Sequence, residues 1–308
     1  MSKTLKFRAD GSFTIVQFTD MHWKLGDGLD QQTRRLMDMI LSAEQPDLAI
    51  LTGDVIQSGQ CLNGRPEAYA QAVQILEEHG VPWAAVFGNH DKEYGVTGEE
   101  LMEVQRNCPH CLTEAGPGGV SGLGNFMLRI GGPGGSSTSA VLYLLDSHEM
   151  APSPVTGYDW IKQDQIEWYT EQSAKLEQEF GRSVPSLAFF HIPLPEYNTV
   201  WNEQECCGSR LEKVACPPLN SGFFTAALER GDITGMFAGH DHVNDYCGEL
   251  HGIRLCYGRA TGYNTYPRNG TARGARMIRL LEGERKFQTW IRLDDGTVIG
   301  DPSSQETV

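Results

Sequence analysis

The stretch Trp83-Ala84-Ala85-Val86-Phe87-Gly88-Asn89-His90-Asp91 is an apolar run that ends abruptly in polar residues. Its apolar part predicts a short buried strand, and the glycine that follows allows the backbone to turn sharply. In open α/β sheets, ligand sites form beyond the carboxyl ends of the strands. The stretch therefore predicts one wall of such a site, with an amide, an imidazole and a carboxylate beside it.

Four other apolar runs end in the same way, and the motifs that follow them are Asp20-Met21-His22, Gly53-Asp54, His191 and Gly239-His240-Asp241-His242. For any single motif, turn residues and hydrogen-bonded histidines are the simpler interpretation. Together, however, carboxylates, imidazoles and an amide carbonyl suit borderline divalent ions such as Mn, Fe, Co or Zn. Because five strand ends can converge on one crevice, the motifs predict a two-metal site.

The order Asp-x-His, Gly-Asp, Gly-Asn-His-Asp, His and Gly-His-x-His resembles that of the calcineurin-like metallophosphoesterase superfamily. The segments 189–197 and 239–248 are similar to its branch of plant and fungal purple-acid-phosphatase-like proteins. The resemblance covers nearly the whole chain, from about Phe13 to about Asp295. It implies an α/β protein, a four-layer α/β/β/α sandwich of two mixed β-sheets flanked by helices. Residues 1–300 would form a single domain and 301–308 a disordered tail.

Carried across by motif, the resemblance also implies two divalent metal ions. A pair of ions about 3.5–4 Å apart lowers the pKa of bound water, and the hydroxide attacks a phosphate monoester or diester. A non-catalytic scaffold or interaction protein on the same fold is the alternative. One ion would be held by Asp20, His22 and His242, and the other by Asn89, His191 and His240, with Asp54 bridging the two.

His90 is predicted to act in the chemistry, because its neighbour Asn89 already faces the metal and adjacent residues usually point apart. A protonated His90 would give a proton to the leaving alkoxide, with Asp91 accepting a hydrogen bond from the imidazolium. A histidine that only orients a ligand is the alternative.

Gln57 stands three residues after Asp54, where true purple acid phosphatases carry the tyrosine whose phenolate colours their ferric iron. The resemblance therefore implies two divalent ions, or a mixed iron pair without colour.

Two segments are candidates for contact with a small phosphorylated substrate. The stretch 193–220 follows His191 and is long for a connection, so we expect it to cap the metal site. The glycine-rich connector 131–139 is predicted to be a hairpin tip. Weaker candidates for lining the site are Trp23, Tyr94, His148, Tyr197, Asn198, Tyr263 and Asn264.

Composition excludes several classes of partner. The chain has 308 residues, 40% of them hydrophobic, which is enough for a sizeable core. A net charge of −15 disfavours duplex nucleic acid, because contact with its phosphates needs Lys and Arg. Apolar runs fall short of the 18–20 residues or so of a membrane span, and the N-terminus does not resemble a signal peptide. We therefore expect a cytoplasmic protein that does not bind a membrane.

The eight cysteines could serve as metal ligands, redox groups or core residues. The motif Cys108-Pro109-His110-Cys111 has no partner pair for zinc and follows a helical pattern rather than opening a helix, so neither zinc nor redox chemistry is expected. His251-Gly252 predicts a two-residue turn in which Cys247 faces Cys256 in a non-hydrogen-bonded pair. In a reducing cytosol these would be two free thiols. That the two cysteines are unrelated core residues is the alternative.

Overall fold

The computed structural model describes residues 4–61, 63–135, 137–266 and 271–300. The strands are β1 (Ser12–Phe18), β2 (Leu48–Thr52), β3 (Trp83–Val86), β4 (Phe126–Gly131), β5 (Thr138–Leu144), β6 (Ser186–Phe189), β7 (Cys206–Cys207), β8 (Ile233–Ala238), β9 (Cys247–Leu250), β10 (Ile253–Tyr257), β11 (Gly274–Leu281), β12 (Phe287–Leu293) and β13 (Val298–Gly300). The helices are α1 (Gly28–Glu44), α2 (Arg65–His79), α3 (Gly98–Arg106), α4 (Gln163–Phe180), α5 (Glu196–Glu203) and α6 (Phe223–Arg230), and a 3₁₀ turn covers Ser58–Gln60.

The strands form two mixed sheets. The six-stranded sheet has the order β13-β12-β11-β1-β2-β3, in which β1, β2 and β3 run parallel. The seven-stranded sheet has the order β4-β5-β6-β8-β10-β9-β7, in which β5, β6, β8 and β10 run parallel. In each sheet the parallel strands therefore end at the same edge.

Three apolar cores separate the layers of the molecule. Along β1, Ile15 lies in the core between the sheets, whereas Val16 faces helices α1, α2 and α3. In the second sheet, Phe237 lies between the sheets and Met236 faces α4, α5 and α6. Strands that are buried on both faces read as continuous apolar runs, which is why the sequence shows little alternation. The predicted four-layer sandwich of two mixed sheets flanked by helices is confirmed.

The helix ends follow local capping chemistry. Helix α3 opens with a capping box, in which Thr97 Oγ1 accepts from the Glu100 N–H and Glu100 Oε2 accepts from the Thr97 N–H. Helices α4 and α6 both end at a glycine with positive φ, Gly181 and Gly231.

The hairpin between β9 and β10 has the register predicted from its turn. Cys247 lies opposite Cys256 with their Cα atoms 4.1 Å apart, and His251 and Gly252 both have positive φ. The two sulfurs are joined as a disulfide, so the prediction of two free thiols is wrong. The non-hydrogen-bonded position brings opposite side chains closest, which places the sulfurs within bonding reach.

The rest of the predicted connector 131–139 joins the antiparallel strands β4 and β5, while Ser136 lies outside the described residues. The predicted tail 301–308 also lies outside them. Within the described ranges, no helix combines the length and the apolar character needed to cross a bilayer.

Candidate metal centre

All five polar motifs lie just beyond the carboxyl ends of parallel strands, three in one sheet and two in the other. Backbone and side-chain hydrogen bonds join the two sheets there. The His191 Nδ1 atom lies 2.8 Å from the Thr52 carbonyl oxygen, and the His240 N–H donates to the Asp20 carboxylate at 3.1 Å. The convergence predicted from the five apolar runs is therefore present.

The backbone around the motifs is strained at the residues expected to bind metal. Left-handed φ values are uncommon for residues other than glycine and cost on the order of 1–3 kcal/mol each. Such strain persists where the surrounding structure imposes it, and it clusters at functional sites. The residues concerned are Asp20 (φ 51°), His22 (φ 47°), Asp54 (φ 50°) and His240 (φ 77°).

The glycines of the motifs serve two purposes. Gly53 has a φ of 86° and makes the predicted turn. A Cβ on Gly88 would lie 2.2 Å from Asp54 Oδ1, and one on Gly239 would lie 2.2 Å from Thr19 Oγ1. The chain also turns after Gly88 and Gly239, but neither has a positive φ, so the need for glycine there comes from close packing around Asp54 and Thr19.

Two groups of buried side chains have donor atoms close enough to hold a cation, and they share Asp54. The potential donor atoms within each group lie within 4.8 Å of one another. The amide oxygen of Asn89 adds to the second group, since it lies 3.2 Å from His191 Nε2. One group is Asp20, His22, Asp54 and His242, and the other is Asp54, His191 and His240.

Hydrogen bonds orient two of the imidazoles. Gln57 Oε1 lies 2.5 Å from His22 Nδ1, and the Thr52 carbonyl oxygen lies 2.8 Å from His191 Nδ1. An oxygen acceptor at Nδ1 places the proton there and leaves the lone pair on Nε2. Both Nε2 atoms face the shared carboxylate, which is the orientation that a metal ligand needs.

The shared carboxylate oxygen fits a position between two cations. Asp54 Oδ2 is fully buried, 3.5 Å from His22 Nε2 and 3.3 Å from His191 Nε2. Among the described residues it has no hydrogen-bond partner. A buried carboxylate oxygen without a partner is costly. A pair of cations would satisfy this oxygen, so the donor set fits the two divalent ions implied by the sequence.

The charges of the site suit cation binding. Burial disfavours the charged form of Asp20, but the neighbouring His242 outweighs it and lowers the pKa of Asp20 to about 2. Burial lowers the pKa of His22 to about 4 and that of His240 to about 3. Burial also disfavours the imidazolium of His191, yet Asp54 raises the pKa of His191 to about 10. Charged carboxylates with neutral His22 and His240 are the forms that bind metal, and the shift at His191 shows how strongly the carboxylates attract positive charge.

His90 lies at the mouth of the site with its ring centroid 5.1 Å from that of His22. Its Nδ1 atom is 2.8 Å from Glu93 Oε2. Asp91 is buried and instead accepts hydrogen bonds from the N–H groups of Gly88 and Ile56. The predicted pairing of Asp91 with the His90 imidazole is wrong, because the Asp91 carboxylate points into the protein and holds the backbone of two motifs.

Residues 13–244 match the sequence profile of the family described as calcineurin-like phosphoesterases. The chain belongs to this family. The resemblance predicted from the order of the motifs is thereby confirmed, and the buried Asp and His groups are those of a metal-binding protein.

Similar proteins include both named enzymes and proteins named as inactive. "Probable inactive purple acid phosphatase 14" of Arabidopsis thaliana is 35% identical, over 95% of this chain and 83% of that protein. Phosphatase DCR2 of Saccharomyces cerevisiae is 31% identical, over 92% of this chain but 54% of that protein. A dimetal phosphatase from Danio rerio has the same fold, with a TM-score of 0.60 at 12% identity over 90% of this chain and 98% of that one.

Two aromatic residues that the sequence analysis did not select contact the histidines of this calcineurin-like phosphoesterase. The Tyr158 ring meets His240 edge-on, and the Tyr266 ring stacks on His242, each with ring centroids 4.3 Å apart. Tyr266 also donates a hydrogen bond to Glu212, which accepts another from the Val243 N–H. Tyr158 lies in the connection between β5 and α4. Because a connection that leaves the carboxyl end of a parallel strand can line the site, this position is the sequence signal that could have identified Tyr158.

One part of the stretch 193–220 lies beside the ligand motifs, and another part packs into the core. Through Glu212 it reaches the His242 motif, as expected for a segment near the site. Tyr197, however, is fully buried in the core beneath α5, where its hydroxyl donates to the Met236 carbonyl. The prediction that Tyr197 lines the site is wrong because it packs inward from the helix. Asn198 accepts a hydrogen bond from Arg210.

The other weak candidates for lining the site differ in burial and in their hydrogen-bond partners. Trp23 is buried and donates to Gln71, so the prediction that it lines the site is wrong. Tyr94 is 70% exposed on the loop after His90, and its carbonyl accepts a hydrogen bond from Arg65. The remaining three make hydrogen bonds to residues outside the ligand groups: His148 to Gln165, Tyr263 to Asp294 and Asn264 to Asp30.

Proposed function

We propose that this chain is a metal-dependent phosphoric ester hydrolase acting on a small phosphorylated substrate. The observation that carries the proposal is the pair of buried ligand groups that share Asp54. The seven positions of the family pattern hold side chains able to bind a divalent ion. A protein that had lost catalysis by losing its ligands would not retain this set.

The ligands would divide between two cations around Asp54. When bound, the cations activate water and offset the negative charge that accumulates on the phosphate oxygens. The chain's own contribution is to hold the ligand oxygens and nitrogens in place through the strained turns and the hydrogen bonds at Nδ1. Asp20, His22 and His242 would hold one ion, and Asn89, His191 and His240 the other.

His90 is placed to handle the leaving group. It is partly exposed, and its backbone N–H donates to Asp54 Oδ1 at 2.8 Å, so its position is tied to the bridging carboxylate. Burial disfavours the imidazolium, but the negative charges of Asp54 and Glu93 raise the pKa of His90. A protonated His90 donates to the leaving oxygen, and Glu93 holds the other ring nitrogen.

Substrate contacts beyond the phosphate would come from the rim of the site. The Tyr158 ring contacts His240, and the Tyr266 ring contacts His242. Tyr94, four residues after His90, is exposed to solvent. Their rings suit the organic part of a monoester or diester. The acidic chain disfavours duplex nucleic acid as a substrate.

A metal-binding scaffold without catalysis is the second candidate, and the names of the Arabidopsis relatives favour testing it. The test begins with elemental analysis of the purified chain for Mn, Fe, Co and Zn. Release of p-nitrophenol from the mono- and bis-p-nitrophenyl phosphates is then measured with each metal, using Asp54→Asn as the blank. Two bound ions with turnover that Asp54→Asn abolishes support the hydrolase. Two bound ions without turnover on these esters or on a phosphate-release panel of nucleotides and sugar phosphates favour the scaffold.

A further inference from the structure

Three cysteines lie in one row across neighbouring strands of the seven-stranded sheet. Strand β7 places Cys207 opposite Cys247, and β10 places Cys256 opposite Cys247 from the other side. Residues directly opposite each other in paired strands project to the same face of a sheet. Cys247 and Cys256 lie in the core between the sheets. The Cys207 side chain therefore starts from the same face, beside the disulfide.

The three sulfurs differ in chemical state. Cys247 and Cys256 form the disulfide, whereas Cys207 is a partly exposed free cysteine in the described part of the chain. Exchange between a thiol and a disulfide needs a thiolate that approaches the attacked sulfur from the side opposite the leaving sulfur. Cys247 is the middle member of the row, so Cys207 and Cys256 flank it on opposite sides.

A partly buried guanidinium lies at the same place. Arg254 Nη2 is 3.5 Å from Cys247 Sγ. Burial lowers the pKa of Arg254, and the negative charges of Glu249 and of a Cys207 thiolate act in the opposite direction. Arg254 therefore places a positive charge beside the sulfur that the exchange attacks.

We propose that Cys207 is the nucleophile of an intramolecular thiol–disulfide exchange with the Cys247–Cys256 bond. Cys207 loses its proton to solvent, and its sulfur bonds to Cys247 Sγ. The Cys247–Cys256 bond breaks, and Cys256 leaves as a thiolate that takes up a proton. The number of disulfides and the oxidation level are unchanged, so no oxidant or reductant is consumed.

The exchanged form is compatible with the strand pairing. Opposite residues of an antiparallel pair have Cα atoms about 4.5–5.5 Å apart. A disulfide spans Cα separations of about 4.4–6.8 Å, so the pairing of Cys207 with Cys247 needs no new strand register.

The exchange moves the cross-link from the hairpin to the edge of the sheet. In the starting form it joins β9 to β10, whereas in the exchanged form it joins β9 to β7, which continues into residues 208–220. That segment packs against the chain just after His242, where Asp245 and Ser209 exchange hydrogen bonds. The exchanged disulfide thus connects the stretch 193–220 covalently to the strand that follows the His242 motif.

Disulfide mapping of the full chain tests the proposal. The purified protein is incubated without reductant at pH 8, quenched with acid, alkylated and digested with trypsin. Cleavage after Arg210, Arg230 and Arg254 places Cys207, Cys247 and Cys256 in three different peptides. The expected result is a population in which the peptide 231–254 is linked to 183–210 while Cys256 is alkylated.

A matched pair of variants assigns the link to one sulfur. Cys206 precedes Cys207 but projects from the opposite face of the sheet. There it lies opposite Gly248, and its thiol donates a hydrogen bond to the Val200 carbonyl. Cys206→Ser should retain the new link, and Cys207→Ser should abolish it. Cys256→Ser, oxidised with diamide, should convert fully to the Cys207–Cys247 disulfide.

The proposal is overturned if the wild-type protein yields only the Cys247–Cys256 link. It is also overturned if the new link survives in Cys207→Ser or is lost in Cys206→Ser. Because the wild-type measurement needs no variant, misfolding of a substituted protein does not decide the outcome.

Discussion

Glu93 Oε2 lies 2.8 Å from Nδ1 of His90, three residues earlier in the chain. The contact fixes the imidazole so that its Nε2 atom is left for the substrate side. The neighbouring Asp91, which the motif suggested for this task, is occupied by two backbone N–H groups. The proposed general acid, His90, thus contacts a carboxylate outside the Gly-Asn-His-Asp motif.

Replacement of His90 should separate esters by their leaving groups. A general acid contributes about 10²–10⁴-fold to rate where the leaving oxygen needs a proton. We expect His90→Ala to lower kcat on alkyl phosphates by about 100-fold or more and on p-nitrophenyl phosphate far less. Steady-state kinetics on both esters checks this, with His79→Ala as a surface control. Equal losses on both esters would favour an orienting role for His90.

Substitution of Glu93 should affect catalysis, whereas substitution of Asp91 should affect the free energy of unfolding. Glu93→Gln weakens the hold on His90, so the loss on alkyl phosphates should follow the pattern of His90→Ala in smaller measure without a change in stability. Asp91→Asn turns an NH₂ group toward a backbone N–H and should lower the free energy of unfolding by about 1–3 kcal/mol. Urea titrations and the two-ester assay compare the variants. A stable Asp91→Asn protein with the His90→Ala pattern would reverse the assignment.

Asp54→Asn should lower both the metal content and the turnover of the protein. The substitution removes the anion between the two ligand groups while leaving an oxygen that can still accept from the His90 N–H. We expect near-complete loss of turnover and less than two ions per chain by elemental analysis. Asp295→Asn, at an exposed turn, is the control. Wild-type turnover with two ions in Asp54→Asn would contradict the bridging role.

Gln57 leads to a spectroscopic prediction. Its amide oxygen lies beside His22 Nδ1, where it holds a ligand rather than supplying a phenolate. The iron-loaded protein should therefore show no visible charge-transfer band, which absorbance between the near-ultraviolet and the red measures directly. A purple preparation would mean that another tyrosine reaches the iron.

The partly buried ion pair of Lys92 and Asp146 should contribute stability that depends on pH. Burial disfavours both charges, but Lys92 lowers the pKa of Asp146, and Asp146 raises the pKa of Lys92. Lys92→Met leaves the buried Asp146 carboxylate with the N–H groups of Leu123 and His148 but without its cation, and should cost about 3 kcal/mol at pH 7. Lys175→Met breaks an exposed pair with Glu171 and should cost no more than about 0.5 kcal/mol.

The sign of the pH effect follows from the two shifts. The contribution of Asp146 is present above its unfolded pKa of about 3.9 and is lost as pH falls through its lower folded pKa. The contribution of Lys92 is present below about pH 10.4 and is lost as pH rises through its higher folded pKa. Urea titrations should show a wild-type advantage that is steady near neutral pH and shrinks in acid. An advantage that grows in acid would contradict the pairing.

Local patterns determined much of this protein from the sequence alone. The apolar runs before Asp20, Asn89 and His240 predicted buried strands with polar ends, because strand burial and turn chemistry depend on neighbouring residues. The hairpin register that sets Cys247 opposite Cys256 followed from two turn residues, since a two-residue turn leaves one alignment of the flanking strands.

Only the tertiary structure decided which side chains from distant segments meet. Tyr158 and Tyr266 reach His240 and His242, Tyr197 turns into the core, and Cys207 lines up with Cys247. These contacts depend on how two sheets and their connecting segments pack together. Residue spacing carries information about direction along one strand or helix, whereas contacts between strands that are far apart in sequence arise from the packing of the whole chain.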